Sequence, residues 1–455
     1  MMTTRPTSAP HEALVSVGFI SLGCAKNLVD SEHMAAVLRS AGIVLARSPE
    51  EADIILVNTC GFIGDAKEES IDAILQACAR KQSGRCRAVI VAGCLIQRYQ
   101  TELQRAMPEV DAFVGLDQLP DIAKVVRRLM GGENNIYQVS TVSRKVFNPL
   151  PRRILLTGGP YAYVKIAEGC NHRCAFCAIP GIRGRYRSRS ITDIVRESER
   201  LLEQGVRELN LISQDTTRYG SDLHDDTDLP KLLKRLGKIG GNFWVRLLYG
   251  HPAYLSDELL DTMAAIPQIC RYLDIPIQHA HADMLAAMNR TGGAKAVWAY
   301  PERARACLPG VTLRTTCLVG FPGETRAQFN ELKRFVREAE FDHLGVFAFS
   351  PEENTLAAKL PGQISRITAE RRRNELMAAQ QEIAFRKAAA HRGRNDEVLY
   401  LKLLRKGLWQ ARSRGQAPEV DGLTLVRQTG KAHPGLVAPV RYTGAAGYDI
   451  KAKPA

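Results

Sequence analysis

Between Glu168 and Arg189 the chain reads EGCNHRCAFCAIPGIRGRYRSR. Cys170, Cys174 and Cys177 stand there in a C-x3-C-x2-C spacing, tight enough for one loop. Three thiolates so close in sequence can take three corners of a cuboidal 4Fe–4S cluster and leave the fourth iron without a cysteine. An open iron is a coordination site for a substrate or cosubstrate. Phe176 lies between the second and third cysteines, and Ala178, Ile179 and Pro180 make the loop's exit apolar. Such an exit shields a cluster from water. The competing reading is a zinc knuckle, which needs a fourth ligand, and His172 is the nearby candidate. Tyr161 to Ala167 reads as a strand, so the loop leaves a strand's C-terminal end.

The segment C-x3-C-x-F-C resembles the signature of the radical S-adenosylmethionine (SAM) enzymes. That resemblance implies that SAM binds the open iron through its amino and carboxylate groups. It further implies that one electron from the cluster cleaves the sulfonium to a 5′-deoxyadenosyl radical. It leaves the substrate unspecified.

Upstream, short apolar runs alternate with amphipathic segments from about Val15 to Leu129. VSVGFIS, ADIILVNTC, AVIVAGC and DAFVG read as strands. Ser31–Ser40, Lys67–Arg80 and Gln97–Met107 read as helices. This alternation predicts a parallel sheet with helices on both faces. Cys24, Cys60 and Cys94 fall at or just past the ends of three predicted strands. Ligands gather at that edge of an open α/β sheet. Two readings follow: a second three-cysteine cluster site, or three small core cysteines. Cys78 and Cys86 lie off the strand ends and are read as bystanders.

SLGCAKNLVDSE, VNTCGFIGDAKEES and GCLIQRY are similar to the N-terminal domain of the methylthiotransferases. With the cysteine loop they resemble the RimO branch, which modifies a ribosomal protein; sister branches modify an adenosine of transfer RNA. Ala25 departs from the proline usual in that branch, which changes a turn and no ligand atom. The resemblance implies two 4Fe–4S clusters, one on Cys170, Cys174 and Cys177 and one carrying sulfur on Cys24, Cys60 and Cys94. It implies SAM as both radical source and methyl donor. The implied substrate is the β-carbon of an aspartate in ribosomal protein S-twelve of the small subunit. A flavodoxin or ferredoxin is the expected electron donor. The alternative is a methylthiotransferase acting on a tRNA adenosine beside the anticodon.

Residues 143–160 are dense in Pro and Gly and read as a linker. Beyond it, strands are predicted at VRELNLIS, FWVRLLY, YLDIPI, VTLRTTCLVG and HLGVFAFS, with helices between them. About six β/α units suggest a partial barrel with its active mouth at the C-terminal strand ends. By the family resemblance, Phe176, Ser213, Gln214, Asp215, Gly320 and Glu324 face SAM. Taken alone, Ser213, Gln214 and Asp215 also read as a polar turn and helix cap, and Gly320 and Glu324 as a plain β–α turn capped by Thr325. His279 and His281 read as satisfied polar core residues. Arg183, Arg185, Arg187 and Arg189 alternate after the cysteine loop, either to contact SAM, RNA or substrate or as a solvated basic strand. The acidic turn Gly220–Asp228 lacks the terminal glutamate of a calcium loop.

Ile364–His391 reads as a long surface helix closing the barrel. After Gly393 short β runs follow, consistent with a small β-barrel. From Arg392 onward twelve Lys/Arg face five Asp/Glu, half of the chain's net charge of +14. This segment resembles a TRAM domain, with RNA contact implied. The expected organisation is α/β: a doubly wound parallel-sheet domain over 14–130, a (β/α)6 partial barrel of radical SAM type over 156–393, and an all-β TRAM barrel over 395–455. No run of eighteen apolar residues exists, so no membrane span is expected. Eleven cysteines without an export signal suggest a reducing compartment and a cytoplasmic location.

Overall fold

The computed structural model describes residues 15–146, 152–428 and 430–455. It divides into one unit spanning residues up to 61 together with 65–141, and a second spanning 62–64 and 142–455. Part of the expected linker, residues 147–151, lies outside the described residues. No helix among the described residues is long and apolar enough to cross a membrane.

The first unit is built on a parallel sheet of β1 (Ser16–Ser21), β2 (Val44–Leu45), β3 (Ile54–Thr59), β4 (Ala88–Gly93), β5 (Ala112–Val114) and β6 (Ile136–Gln138), ordered β2-β1-β3-β4-β5-β6. Every residue of β3 and β4 is buried. That suits strands covered on both faces and explains their unbroken apolar runs. Strand order reverses beside β1, so crossovers leave toward opposite faces and open a crevice at the carboxyl edge. The two- and three-residue strands β2 and β6 are too short to give a periodic signal. The helix expected from Ser31 begins at Ala25. Its first turns bury Asn27, Asp30, Ser31 and Glu32, residues that look solvent-facing in a sequence. Groups at the strand ends partner two of them: Asn27 donates to the Leu22 and Thr59 carbonyls, and Ser31 accepts from the Asn58 side chain.

In the second unit β7 (Tyr161–Lys165) leads into a small hairpin of β8 (Ala167–Glu168) and β9 (Arg187–Ser188), which brackets the cysteine loop. Then follow β10 (Glu208–Ile212), β11 (Trp244–Leu247), β12 (Ile269–Asp274), β13 (Thr312–Val319) and β14 (His343–Ala348). With β7 they form one open six-stranded parallel sheet in sequence order, with a helix after each strand. This is the (β/α)6 partial barrel. The helix Arg366–Ala390 packs on β14 and buries Leu376 and Ile383 in the barrel's core.

Five antiparallel and parallel pairings close the last module into a barrel, β15 (Asn395–Arg405), β16 (Leu408–Ser413), β17 (Thr424–Arg427), β19 (Asp449–Pro454) and β18 (Val437–Ala446). It docks on the N-terminal strand ends of the partial barrel. Glu208, at the start of β10, pairs with Arg246 at 2.8 Å and with Arg412 of the small barrel at 2.5 Å. All three are buried. Tyr272 donates to Asp421 at 2.6 Å across the same junction. The basic count of this module therefore overstates its free charge, because Arg412 is neutralised inside.

Candidate active site and cluster-binding loops

In the first unit the three cysteines stand at the carboxyl ends of adjacent strands. Cys24 follows β1, Cys60 follows β3 and Cys94 follows β4, beside the point of strand reversal. Neighbouring strands lie about 4.8 Å apart, so the topology itself brings the thiols together. Gly23 (φ +86°) and Gly93 (φ +99°) precede two of them in the left-handed region, which glycine tolerates. At Gly23 a Cβ would fall 3.0 Å from Cys60 Sγ. Asn27 ties the group together, with its Oδ1 3.5 Å from Cys94 Sγ. Ser70 Oγ accepts from the Cys60 amide and donates to the Cys60 carbonyl. Cys60 and Cys94 are buried and Cys24 is exposed, so the group has one open side. Cys78 and Cys86 pack instead in the core with Val89 and Phe113, and burial pushes the Cys78 thiol up to about 11.

In the second unit the loop carrying Cys170, Cys174 and Cys177 is fastened from several sides. The Cys170 amide donates to Gly184, Ala175 donates to Met288, and Ala357 donates to Ala175. Asn289 Nδ2 holds the Arg173 carbonyl at 2.8 Å. Arg290 bonds the Pro276 carbonyl and brings its other guanidinium nitrogen to 3.8 Å from Cys174 Sγ. Gly169 turns the chain into the loop at φ +75°, where a Cβ would lie 2.1 Å from the Arg185 carbonyl. Phe176 packs with Ala175, Met288, Leu318, Phe321 and Ala357, giving the apolar surround expected from the sequence.

Burial raises the Cys170 thiol to about 11 and the Cys177 thiol to about 12. A bare thiolate is costly there, and a bound metal centre would supply the compensating charge. His172 Nε2 is engaged with Asp215 Oδ2 at 2.7 Å, and its ring stacks on His251 at 4.6 Å. It is thereby committed elsewhere than a zinc knuckle's fourth corner. Among the described residues no three His, Cys, Asp or Glu side chains converge as they would on one metal ion. In a cluster each cysteine ligates a different iron, so three cysteines with an apolar surround fit a 4Fe–4S centre.

The SAM-side residues divide in two. Ser213, Gln214 and Asp215 follow β10 at the mouth. Asp215 caps the turn Thr216–Arg218 and steadies His172, so it is a cap and a loop support together. Gln214 Oε1 and His251 Nε2 are buried without a hydrogen-bond partner among the described residues. Buried orphans at a mouth are what a polar ligand would satisfy. Burial also lowers the His251 pKa to about 2, so this ring is neutral. Gly320 and Glu324, by contrast, spend their groups on the turn after β13. The Glu324 carboxylate takes the Gly320 amide at 2.7 Å and Arg372 at 2.5 Å, with His279 at 3.3 Å. Thr325 caps the next helix in a reciprocal box with Gln328. His279 is a satisfied core residue and His281 caps a helix.

Arg185 is exposed, but the other three alternating arginines are neither a solvated strip nor a free cationic face. Arg183 pairs with buried Glu168 at 3.0 Å. Arg189 and Arg153 pair with buried Glu197, each at 2.6 Å. Arg187 donates to main-chain carbonyls of Ser143, Lys145, Arg183 and Arg185. Period-two alternation marks one face of a strand, but this segment makes only a two-residue strand, and its arginines reach different partners. The acidic turn is likewise structural: Asp222 holds Ser188 and Asp228 caps Leu229–Leu236. His251 and Arg290 escaped the sequence reading because nothing near them in the chain contains a cysteine.

Three family models match in order along the chain: Uncharacterized protein family UPF0004 over residues 16–115, the Radical SAM superfamily over 164–336 and the TRAM domain over 393–454. "Ribosomal protein uS12 methylthiotransferase RimO" of Pelotomaculum thermopropionicum is 45% identical, over 96% of this chain and 98% of its own. The protein of the same name from Syntrophus aciditrophicus is 47% identical, over 96% and 98%. Among solved structures, the radical SAM methyltransferase TsrM from Kitasatospora setae, with cobalamin and a [4Fe-4S] cluster, aligns with a TM-score of 0.57. It covers 76% of each chain at 15% identity, a likeness of fold alone.

Proposed function

The chain belongs to the RimO family of radical SAM methylthiotransferases, and from that membership we propose that it adds a methylthio group to the β-carbon of an aspartate in ribosomal protein uS12. The observation that carries this reading is near-full-length identity to relatives bearing that one name, joined to two separate three-cysteine groups. The enzyme uses SAM and two 4Fe–4S clusters. In our assignment Cys170, Cys174 and Cys177 hold one cluster, and Cys24, Cys60 and Cys94 hold the other. When bound, the first supplies the electron for homolytic SAM cleavage and the second an open iron for sulfur. A radical route is required because no side chain removes a proton from an unactivated carbon at a useful rate.

This chain's own residues then position and shield. Asn289 and Arg290 fix the cysteine loop, and Arg290 places positive charge beside Cys174. Phe176 and its apolar neighbours keep water from the loop. Gln214 Oε1 is an acceptor and His251 Nε2 a donor, since the neutral ring accepts the Ala253 amide at Nδ1, and both are available to SAM's polar groups. Gly320 and Glu324 shape the neighbouring turn. The exposed hairpin around Lys402, Arg405 and Lys406 fits contact of the TRAM barrel with ribosomal RNA. A flavodoxin or ferredoxin serves as electron donor, and the reaction takes place in the cytoplasm, where ribosomes are assembled.

Mass spectrometry of uS12 and of tRNA nucleosides from a deletion strain tests the substrate. Loss of the uS12 mark with intact tRNA is expected, and the reverse would move the chain to the tRNA reaction. Anaerobic incubation of reconstituted protein with reductant and SAM should yield 5′-deoxyadenosine; its absence would end the radical reading.

A further inference from the structure

The N-terminal ends of the partial barrel's strands carry a half-open cleft of about 470 Å³. It is walled by the first residues of β12, β13 and β14, the last turns of the helix Arg366–Ala390, and the turn Ser413–Gln416 of the small barrel. The catalytic edge lies at the other end of the strands. Six-residue β12 alone separates the two by about 20 Å. The volume is in the range of small-molecule sites.

The cleft is rich in unspent donors. Arg271 donates to the Pro309 carbonyl at 3.0 Å, and Arg414 to the Pro267 carbonyl at 2.7 Å. Neither has a carboxylate partner among the described residues. A carbonyl takes a hydrogen bond and supplies no counter-charge, and Arg414 lies in addition over the Trp244 ring, 5.2 Å from its centroid. Gln416 is 4% exposed; its Oε1 accepts from Ser413 and Thr424, while its Nε2 has no partner among the described residues. Of the cleft's carboxylates, Asp342 is neutralised by Lys387 and also takes the Leu313 amide, while Asp396 takes only the Tyr442 hydroxyl and the Glu397 amide and keeps its charge, so two uncompensated arginines face one carboxylate. The His391 ring makes no hydrogen bond among the described residues, and burial keeps it neutral, with one donor and one acceptor nitrogen. Beside these stand Ile266, Pro267 and the ring of Tyr448, which is 44% exposed.

Two guanidinium groups without counter-ions, an idle amide, a neutral imidazole and an exposed aromatic ring select an anion attached to a flat body. Arginine forks suit phosphate oxygens, and aromatic rings suit nucleobases. We propose that this cleft is a second small-molecule site, taking a mononucleotide with its phosphate on Arg271 and Arg414 and its base against Tyr448. A ligand there touches the partial barrel, its last helix and the TRAM barrel together, so its binding strengthens their docking.

The test is calorimetric titration of the anaerobically reconstituted enzyme with AMP, at saturating SAM to fill the catalytic adenosine site. One AMP per chain is expected to bind, with adenosine at least tenfold weaker. Arg271→Ala, at an exposed position, should weaken AMP at least tenfold and leave 5′-deoxyadenosine formation unchanged. Arg414→Ala, checked for folding by circular dichroism, should weaken it similarly. Absence of saturable AMP binding in the presence of SAM overturns the proposal. So does equal affinity for adenosine, or wild-type affinity in Arg271→Ala.

Discussion

The two cysteine groups reach the same composition by opposite routes. Cys170, Cys174 and Cys177 are close because they share one loop, and other segments, Asn289 and Ala357 among them, are recruited to hold it. Cys24, Cys60 and Cys94 share no loop and are close because β1, β3 and β4 are neighbours in a parallel sheet. A local group needs buttressing, since a loop has no ladder to fix it. A group on strand ends inherits its geometry from the sheet and needs little more than an Asn27 to tie it. The first is vulnerable to changes in its supports, the second to changes in strand pairing.

The sharpest way to break this comparison is to remove one thiol from each group. Cys174→Ala and Cys60→Ala should each abolish methylthio product, by a factor of a thousand or more, and lower iron from roughly eight to roughly four per chain. Only Cys174→Ala should also lose 5′-deoxyadenosine. Methylthio product from Cys60→Ala would remove the second group from the reaction.

Next in size is the foundation of the partial barrel. Glu208→Gln leaves Arg246 and Arg412 facing each other in a buried site. Breaking such a network costs about 3–5 kcal/mol, readable as a lower denaturant midpoint for the second unit. A near-neutral result would mean that the small barrel docks through its apolar contacts alone.

The glycines before the cysteines give a finer contrast. Alanine at either Gly169 or Gly23 takes on a left-handed backbone, costing about 1–2 kcal/mol, but at Gly169 it must also displace the Arg185 carbonyl. Alanine at Gly23 meets Cys60 Cβ at 2.7 Å, a side-chain contact. Gly169→Ala should therefore lose more iron on reconstitution than Gly23→Ala, about tenfold in retained cluster. The opposite order would show that the strand-end group is the less tolerant.

The smallest effect concerns acid. Asp53, just before β3, is buried, which alone would raise its pKa, but Arg85 and Ser16 hold it down at about 2. Its folded pKa is below its unfolded value, so its contribution is complete above about pH 4 and is lost as pH falls toward 2. The contribution is about 2 kcal/mol. Denaturant unfolding of Asp53→Asn at pH 7 and pH 3 should show a gap from wild type that narrows with acid.

The strands of both sheets were legible because buried parallel strands are unbroken apolar runs, as in IILVNT and AVIVAG. The first turns of the helix at Ala25 were not, because Asn27, Asp30 and Glu32 are polar residues turned inward. Very short strands such as β2, β6 and the β8–β9 hairpin carry too few residues for a pattern. The arginine series after the cysteine loop misled because alternation describes a face only when the backbone stays extended.

The sequence by itself determined the cysteine loop, the alternation of strand and helix and the family, since each is a matter of order and spacing along the chain. Tertiary structure decided which strands became neighbours, hence the grouping of Cys24, Cys60 and Cys94. It also decided that Arg290 and His251 came to the loop, and that Arg412 was buried against Glu208. Those depend on contacts between residues tens to hundreds of positions apart, and a linear pattern carries no record of which distant partners the packing of a hydrophobic core will bring together.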